Sequence, residues 1–93
     1  MKRSLDELQL RVVLPLSRTS QELREKCVEI AREKSPSAAF DLGYQVASLA
    51  GLNQLEALRI AKATRWLAVV RRDYGQAEFE RVTELILRKE VKR

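Results

Sequence analysis

The chain has 93 residues, enough for one domain with one hydrophobic core, and it contains no histidine and a single cysteine, Cys27. Hydrophobic residues make up 45% and charged residues 33%, so the chain as a whole should fold. This composition excludes histidine-based catalytic triads, zinc sites built from cysteine and histidine, and an intramolecular disulfide. We therefore expect a protein that is not an enzyme and has no cofactor, metal or small-molecule substrate.

The longest uncharged stretch, residues 42–55, is shorter than the roughly 20 apolar residues that a membrane-spanning helix needs. No pattern of a secretory signal opens the chain. We expect a cytoplasmic protein that does not associate with a membrane.

The N-terminal segment carries two competing patterns. Ser4 and Glu7 fit a capping box, which predicts a short helix over residues 5–14 that Pro15 would end. The alternative is a strand at residues 8–16, where apolar and polar side chains alternate with period two. We favour the helix because the rest of the chain is helical in pattern.

A second helix is predicted to begin at another capping box, formed by Thr19 and Glu22, and to run to about Lys34. Its apolar side chains recur at helical spacing, as expected for a helix that buries one face. They are Leu23, Cys27, Ile30 and Ala31.

The third helix is predicted from Ser35 as N-cap, with Pro36 in the first turn, to about Ala50, where Gly51 ends it. It carries one charge, Asp41. A helix that is nearly uncharged all round is typical of the middle of a bundle, so we place it there.

A fourth helix, capped by Asn53, is predicted to run to about Tyr74 and to end at Gly75. A fifth is predicted from Gln76 to about Val91. Its apolar stripe is expected to be buried and comprises Phe79, Val82, Leu85 and Ile86.

Together these elements predict an all-α domain over residues 1–93, a compact bundle of four or five short helices. Residues 88–93 form a basic tail, for which fraying is one interpretation. The alternative architecture keeps the strand at residues 8–16 and places helices after it.

The net charge of +5 is concentrated in the second half of the chain. Residues 1–51 have eight basic and seven acidic side chains, whereas residues 52–93 have ten basic and six acidic ones. On the fourth helix, Arg65 and Arg72 share one side with small alanines, which predicts an open cationic surface for a phosphate backbone. The candidate nucleic-acid contacts are Arg59, Lys62, Arg65, Arg71, Arg72, Arg88, Lys89, Lys92 and Arg93.

A structural interpretation competes with this one. Arg71 and Arg72 lie in the last turn of the fourth helix, where cations suit the helix terminus. The aromatic side chains also count against a protein that stacks bases on exposed rings, because Phe40, Trp66 and Phe79 fall on apolar stripes and should pack in the core.

Residues around Gly51 resemble a helix-turn-helix, with Ala47 inside the first helix, the glycine in the turn and Ile60 as a spaced apolar contact. The resemblance implies DNA binding through the second helix, by Gln54, Arg59 and Lys62. The alternative is a helix that a glycine ends, followed by another helix of the bundle, and we favour it.

The N-terminal half also resembles ribbon-helix-helix repressors, with the strand at Gln9 to Pro15 and two helices after it. In that family the paired strands of a dimer lie in the major groove. The resemblance implies that Gln9, Arg11 and Val13 face the bases.

In size, charge and fold class the chain is similar to the small helical subunits of CRISPR surveillance complexes, although no motif carries this likeness. We therefore expect a non-catalytic basic helical module that contacts a DNA or RNA backbone, as a subunit of a larger nucleoprotein complex or as a small DNA-binding regulator.

The alternative function is a protein–protein interaction subunit or adaptor without nucleic acid. It is suggested by more apolar side chains than one small core needs, since exposed apolar patches usually mark interfaces. A protein partner or self-association would cover them. These side chains are Leu10, Val13, Leu14, Leu16, Leu55, Leu58 and Val69.

Overall fold

A computed structural model describes residues 11–87 of the chain. Within that range the protein is an all-α bundle without a strand, as predicted, and its radius of gyration of 12.3 Å is close to the roughly 12 Å expected of a compact domain of this length. The helices are α1 (Leu14–Ser17), α2 (Gln21–Glu33), α3 (Pro36–Leu49), α4 (Gln54–Tyr74) and α5 (Gln76–Leu87).

The N-terminal predictions need correction where the structure describes them. Residues 11–13 form a turn and Pro15 lies in the first turn of α1, so the proline begins a helix instead of ending one. Proline suits that position because its missing N–H would have no helical partner there. The strand alternative is wrong over residues 11–16, and with it the ribbon-helix-helix architecture. The part of the predicted first helix before Arg11, with Ser4 and Glu7, lies outside the described residues.

The start of α2 is one residue later than predicted. Ser20, not Thr19, is the N-cap, and its hydroxyl accepts from Leu23 N at 3.2 Å. The Thr19 hydroxyl instead donates backward to Leu16 O at 2.7 Å, where it helps to end α1. These two adjacent hydroxyl groups therefore act on different helices, that of Thr19 on the end of α1 and that of Ser20 on the start of α2.

Helices α3 and α4 begin and end close to the predicted positions. Ser35 caps α3, and Asn53 caps α4 in a full capping box, with Glu56 accepting from Asn53 N at 3.3 Å. Between them Gly51 has φ 98°, and Leu52 N donates to Ala47 O at 3.1 Å, the pattern of a Schellman motif. The positive φ is the reason that a glycine stands there.

The centre of the bundle is α4, not α3 as predicted from its missing charge. Helix α4 contacts all four of the other described helices. Helix α3 buries only a narrow stripe of small residues, Ala39, Gly43 and Ala47, and leaves Leu49 87% exposed. An uncharged surface is thus compatible with a peripheral helix, because small residues allow close packing on one side while the other side faces solvent.

The α3–α4 pair is an antiparallel helical hairpin in contact along its length. Gly43 lies against Thr64 and Ala61, and farther from the turn Phe40 lies against Arg65. A helix-turn-helix has its two helices crossed at about 90–120°, which would separate such positions. The helix-turn-helix interpretation is therefore not supported, and Gly51 is the turn of a bundle hairpin.

Helix α5 closes the bundle after Gly75, which has φ 99°. Phe79, Val82 and Ile86 are buried as predicted, but Leu85 is 53% exposed, which contradicts its predicted burial. Thr83 occupies the inward position instead, and its hydroxyl donates to Glu80 O at 3.1 Å. None of the helices within residues 11–87 combines the length and the apolar character needed to cross a membrane.

Candidate nucleic-acid interface

Helix α4 has a wide buried side and one solvent face. The buried side includes Ile60, Ala63, Leu67 and Val70, as predicted, but also alanines that were expected to be open to solvent. Ala61 and Ala68 are both 0% exposed, because α3 packs over this part of the helix. The predicted surface of arginines over open alanines is therefore wrong, and the cations instead lie beside the α3–α4 contact.

Four of the predicted cations do lie on the solvent face of α4. Arg59, Lys62, Arg65 and Arg72 are all exposed. Their spacing of three, three and seven residues keeps them within about half of the helix circumference. At 1.5 Å per residue they extend over about 20 Å of the helix axis. This is a continuous cationic face that could meet several phosphates of one strand.

Arg65 has an aromatic partner across the hairpin. Its guanidinium carbon lies 5.4 Å from the centroid of the Phe40 ring. The antiparallel packing of α3 and α4 produces this contact, and it orders a side chain that would otherwise be free to rotate. Phe40 is half-buried, and it lies outside the core cluster of the described residues, so its predicted burial in the core is wrong.

Arg72 pairs with its neighbour in sequence. Its Nε donates to Asp73 Oδ1 at 2.9 Å and one terminal nitrogen to Oδ2 at 3.3 Å. The hydrogen bond from Arg72 lowers the pKa of the Asp73 carboxyl below its ordinary value. Both side chains are exposed, and solvent screens surface pairs of this kind so strongly that they contribute little to stability, so a phosphate could compete for the arginine.

Arg71 is engaged elsewhere. Its Nε donates to Ala31 O at 2.9 Å and a terminal nitrogen donates to Lys34 O at 2.8 Å. These are carbonyl groups in the last turn of α2 and at its C-cap, which have no partner within their own helix. The structure therefore separates Arg71 from the other cations of α4 and gives it a structural contact between helices.

The remaining predicted cations are the tail residues Arg88, Lys89, Lys92 and Arg93, which lie outside the described residues. Sequence reasoning missed Arg18, which lines the same groove as Arg59, about 460 Å³ in volume, between α1 and the start of α4. No local pattern could have paired these two side chains, because they are brought together only by the docking of α1 on α4.

Sequence reasoning also missed a pocket at the other end of the hairpin. Pro36 and Phe40 of α3 face Arg65 and Arg72 of α4 across an open surface pocket of about 550 Å³. Asp41 is on its wall as well. The signal available in the sequence was the glycine turn at Gly51, which would have set the antiparallel register of the two helices.

Two further observations bear on chemistry. Burial raises the pKa of the Cys27 thiol above its ordinary value of 9.0, and hydrogen bonding to Thr64 opposes this to a smaller extent. Among residues 11–87 no three His, Cys, Asp or Glu side chains are grouped so that they could hold a metal ion.

Comparison of the chain with protein-family models, with curated proteins and with solved structures gave no match.

Proposed function

We propose that this protein is a non-catalytic helical module that contacts a nucleic-acid backbone through the solvent face of α4. The observation that carries the proposal is the exposed row of Arg59, Lys62, Arg65 and Arg72 on a helix with two acids, Glu56 in its first turn and Asp73 in its last. Cations held on a rigid central helix can neutralise phosphates and release their counterions without first ordering a loop.

Such a module would act as a nucleic-acid-lining subunit of a larger assembly or as a small DNA-binding regulator. The single cysteine is a buried free thiol, which suits the reducing cytoplasm, where we place the protein.

The test is a fluorescence-anisotropy titration against a short duplex and a single strand over a range of salt. With four phosphate contacts, the logarithm of affinity should fall against the logarithm of salt with a slope of about −3 for the single strand and about −4 for duplex DNA. The double reversal Arg65→Glu and Arg72→Glu should weaken binding strongly and flatten the slope.

The matched control is Lys26→Glu with Arg81→Glu, which changes the net charge equally on α2 and α5. Both positions are exposed and lie on other helices. Equal losses in the two double variants would mean that only the overall charge matters, and unchanged affinity in the α4 reversals would disprove the proposed site.

A second candidate function is docking on a protein. It is favoured by Leu49 and Leu55, which are 87% and 58% exposed on either side of the α3–α4 turn. Substituting both by serine should remove self-association or apolar-dye binding if this end of the hairpin is an interface. A monomer that binds no apolar dye even before substitution would argue against it.

A further inference from the structure

Phe40 is placed unlike the other aromatic side chains of the bundle. Phe79 is fully buried, and Trp66, Tyr44 and Tyr74 are partly buried against the core, whereas Phe40 lies outside that cluster. Its ring instead meets the Arg65 guanidinium and forms part of the wall of the pocket between α3 and α4. The bundle therefore keeps one aromatic ring at the cationic face instead of in the core.

The pocket has the dimensions and the chemistry for a small planar anion. Its volume of about 550 Å³ lies within the range of about 300–1,000 Å³ typical of sites for small organic groups. One wall is the Phe40–Arg65 pair, against which a planar ring can stack. The rest of the lining comes from Arg72, Ser35, Ser37, Pro36 and Asp41.

The charged side chains that line the pocket differ in how readily a phosphate could pair with them. Within residues 11–87 no carboxylate lies within ion-pair distance of Arg65, whose contact is with the Phe40 ring. Arg72 is held only by the exposed pair with Asp73. Asp41 is the acid that an incoming phosphate would have to approach. A phosphate would therefore bind at Arg65 and Arg72, and the Asp41 carboxylate on the same pocket would oppose it.

We infer that this pocket holds one unpaired nucleotide of a single-stranded nucleic acid, with its base stacked against the Phe40–Arg65 pair and its phosphate bound by Arg65 and Arg72. The inference rests on the proposed function, since the same two arginines contact the backbone, and it specifies the substrate as single-stranded. A paired base cannot enter, because its face is covered by its neighbours in the duplex.

The experiment compares a labelled single strand with a duplex of equal length and uses variants at two adjacent positions. Phe40→Leu should weaken single-strand binding about fivefold or more, since stacking of one base is worth at least about 1 kcal/mol, and should leave duplex binding unchanged. Phe40→Tyr keeps the ring and should restore single-strand binding. Asp41→Asn should tighten single-strand binding about two- to fivefold, because it removes a like charge near the phosphate.

The outcomes separate this inference from the proposed function. In one outcome the single strand and the duplex bind equally, Phe40→Leu and Asp41→Asn leave the affinity unchanged, and the Arg65→Glu and Arg72→Glu reversals lower it. That outcome would overturn the pocket and keep the backbone contact. Unchanged affinity in the reversals would overturn both. Thermal melts of each variant show whether Phe40→Leu remains folded, and a loss that Phe40→Tyr fails to restore would also count against base stacking.

Discussion

Gly43 on α3 and Thr64 on α4 approach so closely that a Cβ atom at Gly43 would lie 2.8 Å from Thr64 Oγ1 and 3.0 Å from Thr64 Cβ. The Thr64 hydroxyl cannot move away freely, because it donates to Ile60 O at 2.8 Å in a fully buried site. The contact is therefore tight from both sides, and it fixes the distance between the two helices that form the candidate interface.

Gly43→Ala should destabilise the protein, although alanine favours a helix by up to about 1 kcal/mol over glycine. The added methyl group would force the hairpin apart, and overpacking of this kind typically costs about 1–3 kcal/mol. Thermal and urea unfolding measure the effect. Ser48→Ala, an exposed change on the same helix, serves as the control and should leave the midpoint within a degree or two or raise it slightly. A Gly43→Ala variant as stable as the control would show that the helices can separate at little cost.

Arg24 should be the most sensitive arginine for folding. It is 3% exposed at the start of α2 and donates to Ser17 O, Thr19 O and Gln21 Oε1, so it holds the end of α1 onto α2. Arg24→Met should lower the free energy of unfolding by about 2–4 kcal/mol, because it removes a buried guanidinium and leaves the part-buried carbonyl groups of Ser17 and Thr19 without their donor.

Arg24→Lys should rescue only part of this loss, since an ammonium group cannot reach the same set of acceptors as the planar guanidinium. Lys26→Met, an exposed change nearby on α2, is the control and should be close to neutral. Urea unfolding of the three variants makes the comparison, and full rescue by lysine would contradict the proposed geometry.

Arg71 and Arg72 should separate stability from binding. Arg71→Gln removes two hydrogen bonds to the C-terminal carbonyl groups of α2 and should lower stability by about 1–2 kcal/mol with little effect on nucleic-acid affinity. Arg72→Gln removes only an exposed, solvent-screened pair and should leave stability almost unchanged, while it weakens binding. Melting curves and anisotropy titrations of the two variants should therefore rank them in opposite orders.

Cys27 should be protected from thiol reagents in the folded protein. It is 0% exposed, and burial raises its pKa above the ordinary 9.0, so little thiolate is available in the native state. Its modification by a disulfide reagent should require opening of the bundle and should become fast in urea. Gly43→Ala should accelerate the reaction in proportion to its loss of stability. Rapid labelling of the native protein would show that the thiol is accessible.

The raised pKa of Cys27 also predicts how the stability of the fold depends on pH. Because the folded-state pKa is raised, the neutral thiol contributes stability that is fully present below pH 9.0 and is lost as the pH rises through the raised value. Cys27→Ala should weaken that alkaline decline in a series of urea titrations.

The helix termini could be predicted from sequence because they depend on local chemistry. Ser35, Asn53, Gly51 and Gly75 act within a few residues of themselves, and each is at or next to the predicted helix boundary. The order of helices in space could not be predicted in the same way. The missing charge of α3 suggested a central position, but burial depends on which elements pack on both sides of a helix, and only α4 is surrounded.

The cationic face of α4 could be predicted only in part, because it depends both on helical periodicity and on contacts between helices. Helical periodicity places Arg65 and Arg72 on one side of α4, but it cannot show that Arg71 is taken by carbonyl groups of α2, which lie 40 and 37 positions away in sequence. Nor can it show that Phe40 meets Arg65, since that contact depends on the register of the hairpin.

The central position of α4 has a consequence for amide hydrogen exchange. Every other described helix packs on α4, so its buried amides can exchange with solvent only when the whole bundle opens. A ligand bound to the one open face of α4 should therefore slow exchange throughout residues 11–87 and not only beneath itself. Ligand binding at the interface and unfolding of the bundle would then be thermodynamically coupled.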